Sequence, residues 1–352
     1  MRQKSSFSNP LIMWYLNNLR DLPWRKTKDP FYIWLSEIIL QQTRVAQGTS
    51  FYEKFVDEFD DIFALAAADE KHILKLWQGL GYYSRARNLH SAAKTVVNEY
   101  NGTFPNTYKD LLKLKGIGDY TASAIASIAF NQPHAVVDGN VYRVLSRIFG
   151  IKTPINESKG IAEFKLLAQN LLDVDDPGTH NQALMEFGAM VCLPQKPKCQ
   201  TCIFNHRCYA FNESKTDLLP VKIKKLKVRK RYFNYLVVDY KGEATVIRQR
   251  LKKDIWQNLY EFPLLETKND DFDNSTFENF IFQELSIKGS FKLRKFNEIP
   301  VVHKLSHQTL FASFWIIEPE EKVEELYPWK DLKSLALPVL LQNFVDKYHL
   351  VN

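Results

Sequence analysis

Leu114-Lys115-Gly116-Ile117-Gly118-Asp119-Tyr120-Thr121-Ala122 sets a pair of glycines between stretches whose apolar residues recur at helical spacing. Glycine permits a tight hairpin there. The backbone N–H groups of such a hairpin, together with the N-terminus of the helix that follows, form an anion site, and a phosphate diester is its natural occupant. Gly116 and Gly118 are therefore the phosphate-binding candidates. An ordinary two-glycine turn is the plain alternative; the Tyr-Thr-Ala and apolar helix that follow make the pattern more specific. Residues 1 to about 210 read as helical throughout, with helical periodicity at 31–45, 73–77, 86–97, 122–128, 141–149 and 183–191. Trp34, Trp77 and Tyr83 read as core.

A carboxylate stands on either side of the hairpin. The helix opening at Pro30 has Asp29 to cap it and proline at its first position. Its body, FYIWLSEIILQQ, is apolar almost all the way round, so burial is expected, yet Glu37 lies in the middle on the face of Ile33, Trp34, Leu40 and Gln41. Desolvation raises the pKa of a carboxyl and favours a protonated acid at neutral pH. The alternative is neutralisation by a buried arginine such as Arg25. Downstream, AVVDGNV at 135–141 puts Asp138 at a helix start, where capping holds a carboxylate rigid and ionised beside N–H groups. A protonated Glu with an ionised Asp is the pair that cleaves a glycosidic bond through an oxocarbenium-like transition state.

All 4 cysteines fall in one segment, Cys192-x6-Cys199-x2-Cys202-x5-Cys208. A disulfide scaffold would spread them; four thiolates in one loop-rich stretch suit a single metal centre. Tetrahedral zinc usually takes two CxxC knuckles, and only one is present, so the spacing leans towards a [4Fe-4S] cluster with zinc as the alternative. Pro194, Pro197, Lys196 and Lys198 make the first loop stiff and basic, either presenting cations to a partner or simply solvated.

These pieces occur together in one family. The order PWR (23–25), WLSEIILQQT (34–43), GLGYYSRARNL (79–89), LKGIGDYTA, VDGNV, NQALMEFGAMVC (181–192) and the four-cysteine loop resembles the helix-hairpin-helix DNA glycosylases with an iron–sulfur cluster. In particular it resembles those that remove adenine mispaired with 8-oxoguanine. The resemblance implies that Glu37 protonates the adenine ring, that Asp138 stabilises or traps the sugar cation, and that Asn140 and Tyr120 order that site. It implies a base pocket of Trp24, Arg25, Leu40 and Gln182, with Gln42 and Tyr82 entering the duplex where the flipped base leaves a gap. Relatives that also cut the strand carry lysine at position 120, whose amine forms a Schiff base. Tyrosine there implies monofunctional hydrolysis, a trait that a mismatch thymine glycosylase could share.

At a prior of roughly 100–200 residues per domain, 352 residues imply two or three domains. Hydrophobic content of 45% with 25% charged residues excludes wholesale disorder. A net charge of +7 suits a polyanionic partner or simply a basic soluble protein; the resemblance implies that the partner is double-stranded DNA containing adenine opposite 8-oxoguanine. With no long apolar run and no cleavable leader, a soluble, intracellular, monomeric protein is expected, away from membranes: cytoplasmic in a bacterium, nuclear or mitochondrial in a eukaryote. The expected organisation is a helical domain at 1–215 with the hairpin near 107–130 and the cysteine loop at 192–208, a basic linker at 216–231, and an α+β domain at 232–352. In the linker, VKIKKLKVRKR (221–231) reads as exposed, crossing DNA or solvated. Beyond it, 232–240 and 244–250 read as a β-hairpin, 276–285 as a helix, 301–317 as strand-rich and 337–348 as a closing helix.

That tail is similar to a Nudix domain without the RExxEExG run that would hold magnesium, so no nucleotide hydrolysis is expected. In the family it reads the oxidised guanine through a Phe-Ser-His motif. The matching stretch is Val302-His303-Lys304-Leu305-Ser306-His307-Gln308, with serine and histidine in place and leucine where the aromatic stands. A thymine or pyrimidine glycosylase on the same scaffold is one rival and would not need the long tail. A non-catalytic iron–sulfur DNA-binding protein is the other and would have no use for both Glu37 and Asp138.

Overall fold

The computed structural model describes residues 2–223, 228–269, 274–287 and 289–351. Contacts divide the chain into two units, Met1–Ala68 with Asn88–Lys224, and Asp69–Arg87 with Lys225–Asn352.

The first unit is helical. It contains α1 (Arg2–Asn18), α2 (Pro30–Leu40), α3 (Val45–Glu58) and α4 (Ile62–Ala67). After α5 (Glu70–Leu76) and the first turn of α6 (Ser84–Tyr100), which belong to the second unit, come α7 (Tyr108–Leu111), α8 (Asp119–Ile128), α9 (Gly139–Phe149), α10 (Ser158–Leu171), α11 (Pro177–Met190) and α12 (Tyr209–Asn212). Asp29 Oδ1 accepts the Phe31 N–H at 2.8 Å, so the cap and the proline start α2 where the sequence places them. The periodicity suggested one helix through residue 45, but α2 ends at Leu40. Gln42 takes φ 56°, a left-handed conformation that breaks the helix before α3 begins.

The two-glycine turn joins α7 to α8. Gly116 has φ +83°, and a Cβ there would lie 2.7 Å from Asn88 Cβ, so both backbone and space demand glycine. Helix α9 starts on Asp138 and ends on the left-handed Gly150. Helix α11 runs against α1, α8 and α9. Where it meets α9, a Cβ on Gly188 would sit 2.6 Å from Asn140 Cβ and 3.0 Å from the Asn140 carbonyl oxygen. The core between these helices includes Phe7, Leu11, Val144, Phe164, Phe187 and Phe204, and it takes in buried Cys208, so the cysteine loop is packed into the same interior as the helices.

The second unit is built on a mixed sheet. The 10-residue β1 (Arg229–Val238) runs parallel to β8 (Gln308–Pro319), with Tyr235 opposite Phe314, and antiparallel to β5 (Leu264–Thr267). The far edge of β8 is shared by β6 (Phe291–Lys295) and β7 (Val301–Lys304). Short strands β2 (Ala244–Val246), β3 (Arg248–Gln249), β4 (Tyr260–Glu261) and β9 (Leu326–Pro328) surround it. Alternation along β1 sends Phe233, Tyr235 and Val237 into a core with α14 (Val339–Val351), and Leu236 and Val238 into one with α13 (Asn274–Leu285).

Two expectations need correction here. The expected 232–240/244–250 hairpin reduces to a single Tyr240–Ala244 bridge, because β5 and β8 occupy both edges of β1 and β2 pairs with β9 instead. The basic run is not exposed to its end: residues 229–231 are strand, and Arg231 is only 5% exposed. Its residues 224–227 lie outside the described residues.

Replacing Gly188 by alanine puts a methyl into backbone and Cβ that cannot retreat without moving the start of α9. Overpacking of this kind costs about 1–3 kcal/mol. Gly188→Ala should lower the urea midpoint; an unchanged midpoint would show that α9 gives way freely.

Candidate active site

In the first unit a cavity of about 200 Å³ opens between α2, α8, α9 and α11. Helix α2 contributes Glu37 and Leu40, the Pro23–Arg25 turn contributes Trp24 and Arg25, and α11 contributes Gln182, Met185 and Glu186. The hairpin helix brings Tyr120, and α9 brings Asp138 and Asn140. Residues far apart in the sequence thus converge on one slot.

Among the described residues no arginine forms an ion pair with Glu37, although Arg25 lines the same pocket. Burial pushes its carboxyl up to about 7, helped by the negative charge of Asp138, while a hydrogen bond from the Tyr120 hydroxyl pulls the other way. Tyr120 is itself raised well above its usual range by burial and by both carboxylates, so it remains a neutral phenol; its oxygen is 3.4 Å from Met185 Sδ. Asp138 is the cap of α9: Oδ1 accepts the Val141 N–H at 2.8 Å and Oδ2 accepts the Asn140 amide at 2.7 Å. Burial nonetheless raises its pKa, so the capping bonds expected to keep it ionised work against desolvation.

The arginine expected as the alternative partner of Glu37 is engaged elsewhere. Arg25 Nη2 and Arg20 Nη2 both reach Glu186 Oε2, at 2.7 and 2.5 Å. Burial by itself would raise Glu186, yet the two guanidinium groups bring it down to about 2. Gln182, one turn before Glu186, accepts the Tyr15 hydroxyl at 2.8 Å. The sequence reading missed Glu186, Arg20 and Tyr15. The four-residue spacing between Gln182 and Glu186 was the available signal, since it puts both on one helix face.

Arg143 connects this pocket to the cysteine loop, donating to Asn140 Oδ1 at 2.8 Å and to the Cys192 carbonyl at 2.5 Å. Cys192, Cys199, Cys202 and Cys208 are all unpaired thiols. Burial is the first cause that raises Cys199, Cys202 and Cys208, Cys202 to about 11, and the other cysteines add to it, so the four share one electrostatic neighbourhood. The Phe204 N–H and the Arg147 guanidinium each point at a sulfur, Cys202 and Cys192, at 3.4 Å. Among the described residues no group of three or more His, Cys, Asp or Glu is arranged to hold a single metal ion. Among the described residues no helix is long and apolar enough to cross a membrane.

Gln42 is exposed on the turn after α2, and at the head of α8 the Gly118 backbone stands open, with nothing within 4 Å of the position a Cβ would take. Tyr82, Ser306 and His307 do not join this pocket. They line a cavity of about 380 Å³ in the second unit with Asp254, Trp256 and Leu305, where the Tyr82 and Ser306 hydroxyls hydrogen-bond.

Comparison with known proteins agrees with both halves. Residues 35–169 match the HhH-GPD superfamily base excision DNA repair proteins, and 234–347 match the NUDIX domain. The chain is 32% identical over 350 residues to the adenine DNA glycosylase of Buchnera aphidicola subsp. Schizaphis graminum, covering 97% of this chain and 98% of that one. It is 42% identical over 215 residues to the human adenine DNA glycosylase, covering 58% of this chain and 39% of the human one. A solved thermostable thymine-DNA glycosylase superposes with TM-score 0.56 at 30% identity, covering 60% of this chain and 98% of its own.

The Glu37 carboxyl should titrate near 7 in infrared difference spectra of wild type against Glu37→Gln. Tyr120→Phe removes the donor that favours the ionised form, so the midpoint should move higher still. A midpoint that stays or falls would refute the hydrogen bond.

Proposed function

Because the chain belongs to the adenine DNA glycosylase family, hydrolases of N-glycosyl bonds in base excision repair, we propose that it excises adenine paired with 8-oxoguanine, or with guanine, from double-stranded DNA. The observation that carries the reading is a carboxyl poised near neutrality, Glu37, beside a second carboxylate and a neutral phenol in one pocket.

Glu37 in its protonated form gives its proton to a ring nitrogen of the flipped adenine. The bond from N9 to C1′ then breaks with both electrons leaving on the base, and the positive sugar develops against Asp138. Water adds to C1′ and returns its proton to the Glu37 carboxylate, leaving adenine and an abasic site. Tyr120 holds Glu37, and Asn140 holds Asp138. With a phenol at position 120 and no amine, the hydrolysis is monofunctional. Trp24, Arg25 and Leu40 enclose the base, and the Gln182 amide meets its edge. Gly116 and Gly118 take a phosphate, and Gln42 and Tyr82 fill the space of the flipped base. Ser306 and His307 read the oxidised guanine, and the Tyr82–Ser306 cavity favours this reading over a thymine glycosylase, which needs no such reader. The protein acts as a monomer.

Cys192, Cys199, Cys202 and Cys208 would hold a [4Fe-4S] cluster, for which four neighbouring free thiols with N–H groups aimed at two of the sulfurs are a suitable donor set. Such a cluster would fix the shape of the basic loop that carries Lys196 and Lys198.

Glu37→Gln and Asp138→Asn should each slow single-turnover adenine excision by at least about 100-fold while DNA binding persists. Because the acid works in its protonated form, the wild-type rate should be level below a pH of about 7 and fall above it. The Glu37→Gln residual should lack that fall. Near-normal excision by either mutant, or a wild-type preference for thymine opposite guanine, would overturn the assignment. The purified protein should be brown with about four irons per chain, and Cys199→Ser should bleach it; stoichiometric zinc without visible absorption would replace the cluster by a zinc module.

A further inference from the structure

We propose that Arg231 is the positioning residue of the cavity lined by Tyr82 and Ser306, its buried guanidinium tying the loop wall 250–258 to the sheet and to Gln308, the first residue of β8, which carries the second wall, 305–307. The inference rests on the reading above that this cavity recognises 8-oxoguanine.

Arg231 ends a basic run that suits a DNA-crossing linker, yet its side chain faces inward and is only 5% exposed. Every guanidinium group that can donate has a partner. Nε and Nη2 bond Glu266 on the neighbouring β5, at 2.7 and 2.6 Å. Nη1 and Nη2 fork onto the two oxygens of Asp254, at 3.0 and 2.7 Å. Nη1 also reaches Gln308 Oε1 at 3.3 Å. Glu266 anchors the arginine to the sheet, while Asp254 and Gln308 both line the cavity, one on the loop 250–258 and the other at the start of β8.

The first segment needs such an anchor. Trp256 has a φ of 60°, a conformation that a side chain of that bulk rarely adopts and that persists only when the surroundings fix it. Arg250 adds a second grip, with Nη2 at 2.6 Å from Asp254 and Nε at 2.9 Å from the Ile255 carbonyl. Trp256, thus held, packs on Phe233 and on His303 at centroid distances of 6.3 and 5.8 Å. On the second segment, Ser306 lies two residues before Gln308. A shift of either anchor therefore moves a residue that faces the lesion.

Lysine cannot substitute, because a single ammonium has no planar fork to hold two carboxylates and an amide together. With its donors spent inside the unit, Arg231 has none left for a phosphate. It acts on specificity through Asp254 and Gln308 and does not itself touch DNA.

The test uses the full chain and duplexes carrying adenine opposite 8-oxoguanine or guanine. Arg231→Lys should reduce the ratio of the two affinities by between about twofold and tenfold, the fold-change of one lost hydrogen bond. The dependence of log affinity on log salt should keep its slope, since no phosphate contact is lost. Hydrogen exchange should quicken in both 251–258 and 305–308 while 232–238 stays protected. Ser306→Ala with His307→Ala should lower the same ratio, and adding Arg231→Lys to that pair should lower it no further. If the serine and histidine changes leave the ratio intact, the lesion reading fails. If they lower it but Arg231→Lys does not, or lowers it additively, or flattens the salt slope, this proposal fails. Should Arg231→Lys not fold, Asp254→Asn releases one wall: exchange should rise in 251–258 and the ratio should drop, and the absence of either change overturns the proposal.

Discussion

A protonatable Glu37 depends on the absence of a free cation beside it, and that absence is made by Glu186. Arg25 lines the same pocket, and an opposite charge within about 4–6 Å would pull a carboxyl down and keep it ionised near neutrality. Glu186, 1% exposed, takes Arg25 and Arg20 together. The excess positive charge of that trio rests on Arg20, which at 35% exposure remains in contact with water. Helix α11 therefore does three things at once: Glu186 removes the cations, Gln182 lines the pocket, and Gly188 lets α9 approach closely enough to bring Asp138 opposite Glu37.

Arginines whose donors are engaged internally recur across the molecule, with partners suited to each place. Arg143 spans Asn140 and the Cys192 carbonyl, so the residue that holds Asp138 is tied to the first cysteine. Arg147, 2% exposed, donates to the carbonyls of Leu193, Pro194, Thr216 and Leu219 and to the Cys192 sulfur, gathering both ends of the cysteine segment onto α9. In the second unit, Arg231 and Arg250 face Asp254, Glu261 and Glu266, an excess of one carboxylate. Burial raises Glu261, and the burial cost of Asp254 is outweighed by its two arginines, which hold it well below the usual range. In a basic protein these side chains do not advertise affinity for nucleic acid; they hold loops.

What the sequence determined by itself was everything encoded locally. The Asp29-Pro30 start of α2, the two glycines before Tyr120, the Asp138 cap and the clustering of four cysteines each follow from the chemistry of a few adjacent residues, and the structure contains each of them. The desolvation of Glu37 was legible for the same reason, since its helix is apolar almost all the way round, but that the side chain is only half-buried and opens onto a pocket was not. Tertiary structure decided who partners whom. Helical periodicity could not show that Gln42 would turn left-handed and end α2, nor that β8 and β5 would outcompete 244–250 for the edges of β1, because strand pairing is settled by long-range packing. The fate of the arginines was the least visible. Lys and Arg in a run read alike as exposed charge, and only the fold sets Arg231 against Asp254 and Glu266, or Arg25 against Glu186 in place of Glu37, since a charge leaves water only where a partner from a distant part of the chain compensates it.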